Sequence, residues 1–221
     1  MTSITKLLAL ALCLLAAPAS AVVVISVAGA PDPGLTAGQT LVVSFNAPNF
    51  AGVTNTDIGN VIIAAGSTGG VRAAPAGTAA GGVYMSIGSG GSSTFDFTSI
   101  IDANKKLGSV SLYWGSIDAF NTVEFLDANN VVIQSFGGNQ LPQFNGDQTE
   151  AVTNRRVDFV FNSLEKVTKV RFGSSSNAFE FDSIGASMAA VPEPAAWLTM
   201  IAGFGLVGVT ARRRRGAAVA A

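Results

Sequence analysis

Apolar and polar residues alternate with a period of two in seven short segments of this 221-residue chain. The segments are 41–46, 95–97, 110–114, 123–125, 157–161, 167–172 and 179–182. A period of two sends successive side chains to opposite faces, which suits a strand with one dry and one wet face. The apolar positions are largely Val and Phe, residues that pack well on a pleated surface. No stretch between residues 22 and 190 holds a 3.6-residue period. Many short strands joined by turn residues read as an all-β fold, an antiparallel β-sandwich of jelly-roll-like kind. Asp127-Ala128-Asn129-Asn130 lies between two such runs and predicts a hairpin loop. Residues 49–93 hold eleven glycines. They read as long loops around one or two strands, near Val61-Ile62-Ile63 and Val83-Tyr84-Met85. Neither a repeat of fixed period nor a boundary dividing the core is visible.

Composition narrows the chemistry. Charged residues are 12% of the chain, against about a quarter in ordinary soluble domains. There is no histidine, and the one cysteine, Cys13, sits in an apolar leader. A chain without that leader has no disulfide, no thiolate or imidazole zinc site, no Ser-His-Asp triad and no cysteine nucleophile. Residues 22–191 carry 13 of the 14 Asp+Glu (all but Glu193) and 8 of the 13 Lys+Arg (all but Lys6 and four tail arginines), a balance of −5. Nucleic acid is therefore not an expected partner, since phosphate binding needs clustered cations.

The two ends read as addresses. Lys6 precedes an apolar run from Leu7 to Ala17, and Ala19-Ser20-Ala21 supplies small residues at a cleavage position. This is the order of a secretory signal peptide over residues 1–21, cut by signal peptidase after Ala21. At the far end, residues 195–211 are uncharged for 17 positions. As a helix they span about 25 Å, enough for a thin bilayer core. Arg212, Arg213, Arg214 and Arg215 follow, a cationic stop that holds this end on the cytoplasmic side, with Trp197 near the outer interface. Gly203, Gly205 and Gly208 spell G-x-G-x-x-G, but no strand precedes them and no acidic residue follows. They suit close helix packing in a membrane better than a dinucleotide.

Pro192, Glu193 and Pro194 stand before that helix. From Val191 to Arg215 the order of tripeptide, apolar helix and arginines resembles the PEP-CTERM sorting signal, in the variant with Trp three residues after the second proline. The resemblance implies a sorting signal over 191–215 and a cytoplasmic tail over 216–221. It also implies recognition by an exosortase-type membrane protease, transient anchoring in the inner membrane of a Gram-negative bacterium, and delivery to the cell surface or its matrix. The two prolines fix φ and remove two N–H groups, leaving an extended, accessible segment.

Within the 22–190 core, Tyr113 to Phe125 reads Y-W-G-S-x-D-x-x-N-T-x-x-F. With Asn154-Arg155-Arg156-Val157 and Ala178-Phe179-Glu180-Phe181-Asp182-Ser183-Ile184, it is similar to a family of exosortase-dependent surface proteins. That family implies a location and no reaction.

Several residues could carry chemistry. Tyr113 and Trp114 are adjacent in a strand and point to opposite faces. Both suit a sandwich core, and either one left exposed would stack on a sugar ring. Asp118 and Asn121 are three apart in a polar loop. They suit turn stabilisation or, as weak candidates, oxygen ligands to Ca²⁺, joined by Glu124, Asp127, Glu180 or Asp182. No other cofactor is expected. Glu180 and Asp182 share a strand face, and two carboxylates suffice for a glycosidase, yet such a face is more often simply solvated. Arg155-Arg156 and Lys166, Lys169 and Arg171 read as a solvated strand face or a contact for anionic exopolysaccharide. The expectation is a non-enzymatic protein with a structural or adhesive role in the exopolysaccharide or biofilm layer. A carbohydrate-binding module and a glycan hydrolase are the alternatives.

Overall fold

The computed structural model describes residues 22–46, 50–148, 150–162, 165–191 and 199–208. Among the described residues twelve strands form two antiparallel sheets. The larger contains β1 (Val23–Ala28), β2 (Thr40–Val43), β4 (Val61–Ala65), β5 (Val83–Ile87), β7 (Lys105–Gly115), β10 (Arg155–Val160) and β12 (Phe179–Ala190). Its order is β1-β10-β7-β12-β5-β4, with β2 beside the far half of β12. The smaller runs β3 (Thr54–Ile58), β6 (Ser92–Asp96), β11 (Lys169–Ser174), β8 (Asn121–Leu126) and β9 (Val132–Gly137). The β7 and β12 strands form the spine of the larger sheet, paired from Glu180↔Gly115 to Ala190↔Lys105.

The alternating segments place their apolar residues between the sheets. Val110, Leu112 and Trp114 of β7 and Phe179 and Phe181 of β12 face Phe95, Val123, Phe125, Val170 and Phe172 of the smaller sheet. Phenylalanine rings interlock across the gap: Phe172 meets Phe179 at 5.7 Å and 86°, and Phe125 meets Phe159 at 5.0 Å. Edge-to-face rings are worth about 0.5–1.5 kcal/mol beyond the area they bury. This aromatic layer is the core of a β-sandwich.

The glycine-rich stretch differs from its reading as loops around one or two strands. It contains β3, β4 and β5 and the start of β6, because its glycines serve the crossings between sheets. The hairpin at 127–131 is present. Asp127 Oδ1 accepts from the N–H groups of Asn129 (2.8 Å) and Val131 (2.9 Å), and Asn130 adopts φ 65°.

The outer faces of the sheets diverge from a uniform wet surface. That of the smaller sheet is open, with Glu124, Arg171, Lys169 and Asp96 forming ion pairs. That of the larger sheet is roofed by two straps, residues 29–39 and 66–79. Beneath them Ser111, Tyr113, Arg156, Asp158, Glu180 and Asp182 are buried although polar. Each buried polar group needs a partner, and the straps supply them. Gln39 Nε2 donates to Ser109 Oγ and to Asp158 Oδ1, both at 2.8 Å, and Arg156 pairs with Asp32. Gly115 allows the approach, since a Cβ there would lie 2.7 Å from Pro75 Cα.

Among the described residues no helix is long and apolar enough to cross a membrane. A helix covers 199–208, with Met200, Ile201, Phe204 and Leu206 exposed. The expected leader (1–21), Pro192, Glu193, Pro194, Trp197, Arg212, Arg213, Arg214, Arg215 and residues 216–221 lie outside the described residues.

Candidate functional site

The three core segments singled out from sequence meet under one strap. Asn154 Oδ1 accepts from the Ala76 N–H at 2.8 Å and the Ser116 N–H at 3.2 Å. The Glu180 carboxylate accepts from the Ala73 N–H at 2.8 Å. The Tyr113 hydroxyl lies 2.6 Å from the Ala76 carbonyl and 2.9 Å from that of Gly29, so it ties both straps. Gly115 sits under Pro75. These residues thus hold residues 73–76 on the larger sheet.

That arrangement corrects the aromatic platform. Trp114 is fully buried and stacks on Phe179 at 4.4 Å and 20°. Its indole N–H has no acceptor among the described residues. Tyr113 is 4% exposed, and burial, with Asp32 nearby, pushes its hydroxyl up to about 12. Opposite faces are what the strand dictates, but the strap hides the outer one. Neither ring has a free face for a sugar.

Asp118 and Asn121 also part company. Asn121 is fully buried and its Nδ2 donates to the Ala178 carbonyl at 3.2 Å, while its Oδ1 is buried without a donor among the described residues. Its N–H reaches the Asp118 carbonyl at 3.3 Å, a backbone turn contact in which neither side chain takes part. The Asp118 carboxylate instead packs against Gly146, whose absent Cβ would sit 2.3 Å from Oδ1. Among the described residues no three acidic, histidine or cysteine side chains gather to hold a metal.

Asp118 has a different neighbour, one that sequence spacing could not reveal. With Arg72, Ser116, Gln148, Asn177 and Glu180 it lines a cavity of about 90 Å³ at the end of the strap. Burial pushes the Glu180 carboxyl up to about 7, helped by the charge of Asp118 and opposed by the Ala73 N–H. Burial pushes Asp118 up to about 6. Two carboxyls poised near neutrality resemble acid–base chemistry. The space decides against a glycan here: it holds about three waters, whereas ligand sites run to about 300 Å³ and more. Asp182, the partner suggested by strand spacing, is committed elsewhere, accepting from Ser183 N–H at 2.6 Å and Asn46 Nδ2 at 2.9 Å.

Four of the five basic residues are committed too, while Lys166 is exposed. Arg155 bonds Ser26 and the Val152 carbonyl, and Arg156 reaches Asp32 and the Ser183 carbonyl. Lys169 Nζ bonds Asn130, and Arg171 Nε bonds Glu124 at 2.6 Å.

A larger hollow opens on the outer face of the smaller sheet. About 320 Å³ in volume, it is lined by Ser92, Phe120, Thr122, Glu124, Arg171 and Gly173. Gly173 keeps its floor low, and the half-buried Phe120 stands at its rim. Phe120 was not singled out in the sequence because it sits in a loop outside any alternating run.

Fold and cavities together define a two-sheet antiparallel β protein in which Tyr113, Trp114, Asn121, Asn154 and Glu180 are buried. Its address is separate: residues 190–215 match the model of the PEP-CTERM protein-sorting motif. The chain carries that motif, which implies an exported, exosortase-targeted surface protein with a membrane-anchored precursor. No curated protein and no solved structure matches the chain.

Proposed function

We propose that this chain is a non-enzymatic surface protein with a structural or adhesive role in the exopolysaccharide or biofilm layer. Its precursor is held across the inner membrane of a Gram-negative bacterium by a helix over 195–211, and the exosortase-type protease trims it near Pro192, Glu193 and Pro194. The observation that carries this reading is the sorting-motif match over 190–215. Two features support it. The described part of the helix presents large apolar side chains to its surroundings, Phe204 at 72% exposure. The last strand ends at Ala190, and the Val191 N–H donates to the Asn104 carbonyl. A cut just beyond would leave β12 whole. The mass of the mature protein tests the proposal: loss of the peptide containing Arg212 to Arg215 is expected, and its retention in released material overturns the sorting step.

The glycan-binding alternative moves from Tyr113 and Trp114 to the hollow beside Phe120. An aromatic ring at the rim and the fixed Glu124–Arg171 pair on the floor suit an uncharged sugar chain. Titration against the host's neutral polysaccharide should show binding that Phe120→Ala weakens about tenfold. Equal binding by the variant removes this reading.

A further inference from the structure

The two strands that end the six-strand path of the larger sheet are built alike. One is β1, Val-Val-Ile-Ser-Val-Ala, and the other is β4, Val-Ile-Ile-Ala-Ala. Neither holds a charge or a proline. Val23 (57%), Ile25 (49%) and Val27 (53%) are exposed on β1, as are Ile62 (41%) and Ile63 (51%) on β4. Among the described residues each pairs with one strand only, β1 with β10 and β4 with β5. Proteins that stay apart blunt such edges with lysine, proline or a bulge, because an unpaired β-prone strand is a template for another.

The topology makes these edges complementary. Six strands lie on the path from β1 to β4, and every neighbouring pair is antiparallel. An even number of alternating strands leaves β1 and β4 running in opposite directions. A β4 strand set beside β1 of a second copy therefore continues the antiparallel alternation. The registers place Ile25, opposite Asp158, and Ile62, opposite Ser86, on the outer face. The new seam would align Ile62 with the Val23, Ile25 and Val27 stripe. The smaller sheet lacks this match. It has five strands, so its edges run parallel, and its β3 edge carries Asp57.

We propose that copies of this chain associate head to tail, β1 of one molecule pairing with β4 of the next through about five residues, or roughly 17 Å, of strand. Such a contact uses different surfaces on the two partners and does not close on itself, so it propagates as a filament. It stands on the sheet edges and is independent of the sorting reading: retention of the arginine tail would remove that reading and leave this one intact.

The test uses the full chain in mild detergent, which keeps the tail helices apart, followed by sedimentation and electron microscopy. The wild type should form a linear series of oligomers that lengthens with concentration. Ile25→Lys blocks β1 and Ile62→Lys blocks β4, and each variant alone should remain monomeric. Mixed together they should stop at a one-to-one dimer, because each retains one competent edge. Both side chains are exposed, so unchanged melting curves confirm folding, and Val27→Lys replaces Ile25→Lys if that variant melts early. A monomeric wild type, either variant assembling alone, or a mixture that does not combine overturns the proposal.

Discussion

Glu180 shows how little a residue's type reveals of its setting. On an alternating strand it reads as solvated, yet it is 2% exposed beneath a strap that its own carboxylate anchors. Burial raises its pKa from 4.5 to about 7. The folded state then binds more protons than the unfolded chain between these values, so stability falls as pH rises through that window. Asp118, raised from 3.8 to about 6, acts in the same direction. A thermal unfolding series from pH 4.5 to 8 should show the loss, roughly 1 kcal/mol per pH unit where Glu180 titrates. Glu180→Gln keeps an acceptor for the Ala73 N–H and should flatten most of the slope. A wild-type curve that rises over this range would show the carboxyl to be charged in the fold. Trp114 teaches the same lesson from the apolar side: its identity suits a sugar platform or a core, and only its neighbour Phe179 decides.

At the scale of elements, the strap is the feature that alternation does not foretell. Alternating residues of β7 and β12 assign one face to the core and one to water. Residues 66–79 instead cross that second face, because Tyr113, Asn154 and Glu180 offer hydrogen-bond partners to a backbone that would otherwise be unpaired. Gly115→Ala tests this. The added methyl meets the backbone Pro75 Cα at 2.7 Å and cannot be relieved by a rotamer change. Overpacking of this kind costs about 1–3 kcal/mol. Chemical denaturation should show that loss, together with faster amide exchange at Ala73 and Ala76. Unaltered exchange there would mean that the strap does not depend on the close approach.

At the scale of the whole molecule, address and body separate cleanly, and they were legible to different degrees. The sorting tail is readable because it is a linear signal: three prolyl and acidic residues, an uncharged run and four arginines act in sequence order. Seven strands (β2, β6, β7, β8, β10, β11 and β12) were readable for a local reason too, since a period of two is enforced by backbone geometry, whereas β1 and β9 lie outside the alternating segments. The hairpin at Asp127 belongs with them. The strands inside the glycine-rich stretch were obscured, because glycine marks turns and crossings without saying which intervening residues pair. The pairing of Asp118 with Glu180, 62 positions apart, and the separation of Asp118 from Asn121, three apart, have no local cause. They arise from which loop covers which sheet. The sequence alone therefore determined where the protein is sent and that its body is an antiparallel β fold, since both rest on contiguous residues. Only the tertiary structure decided which polar residues are buried, which aromatics are hidden and which strand edges stay open, because burial and edge position are properties of strand order between residues distant in the chain.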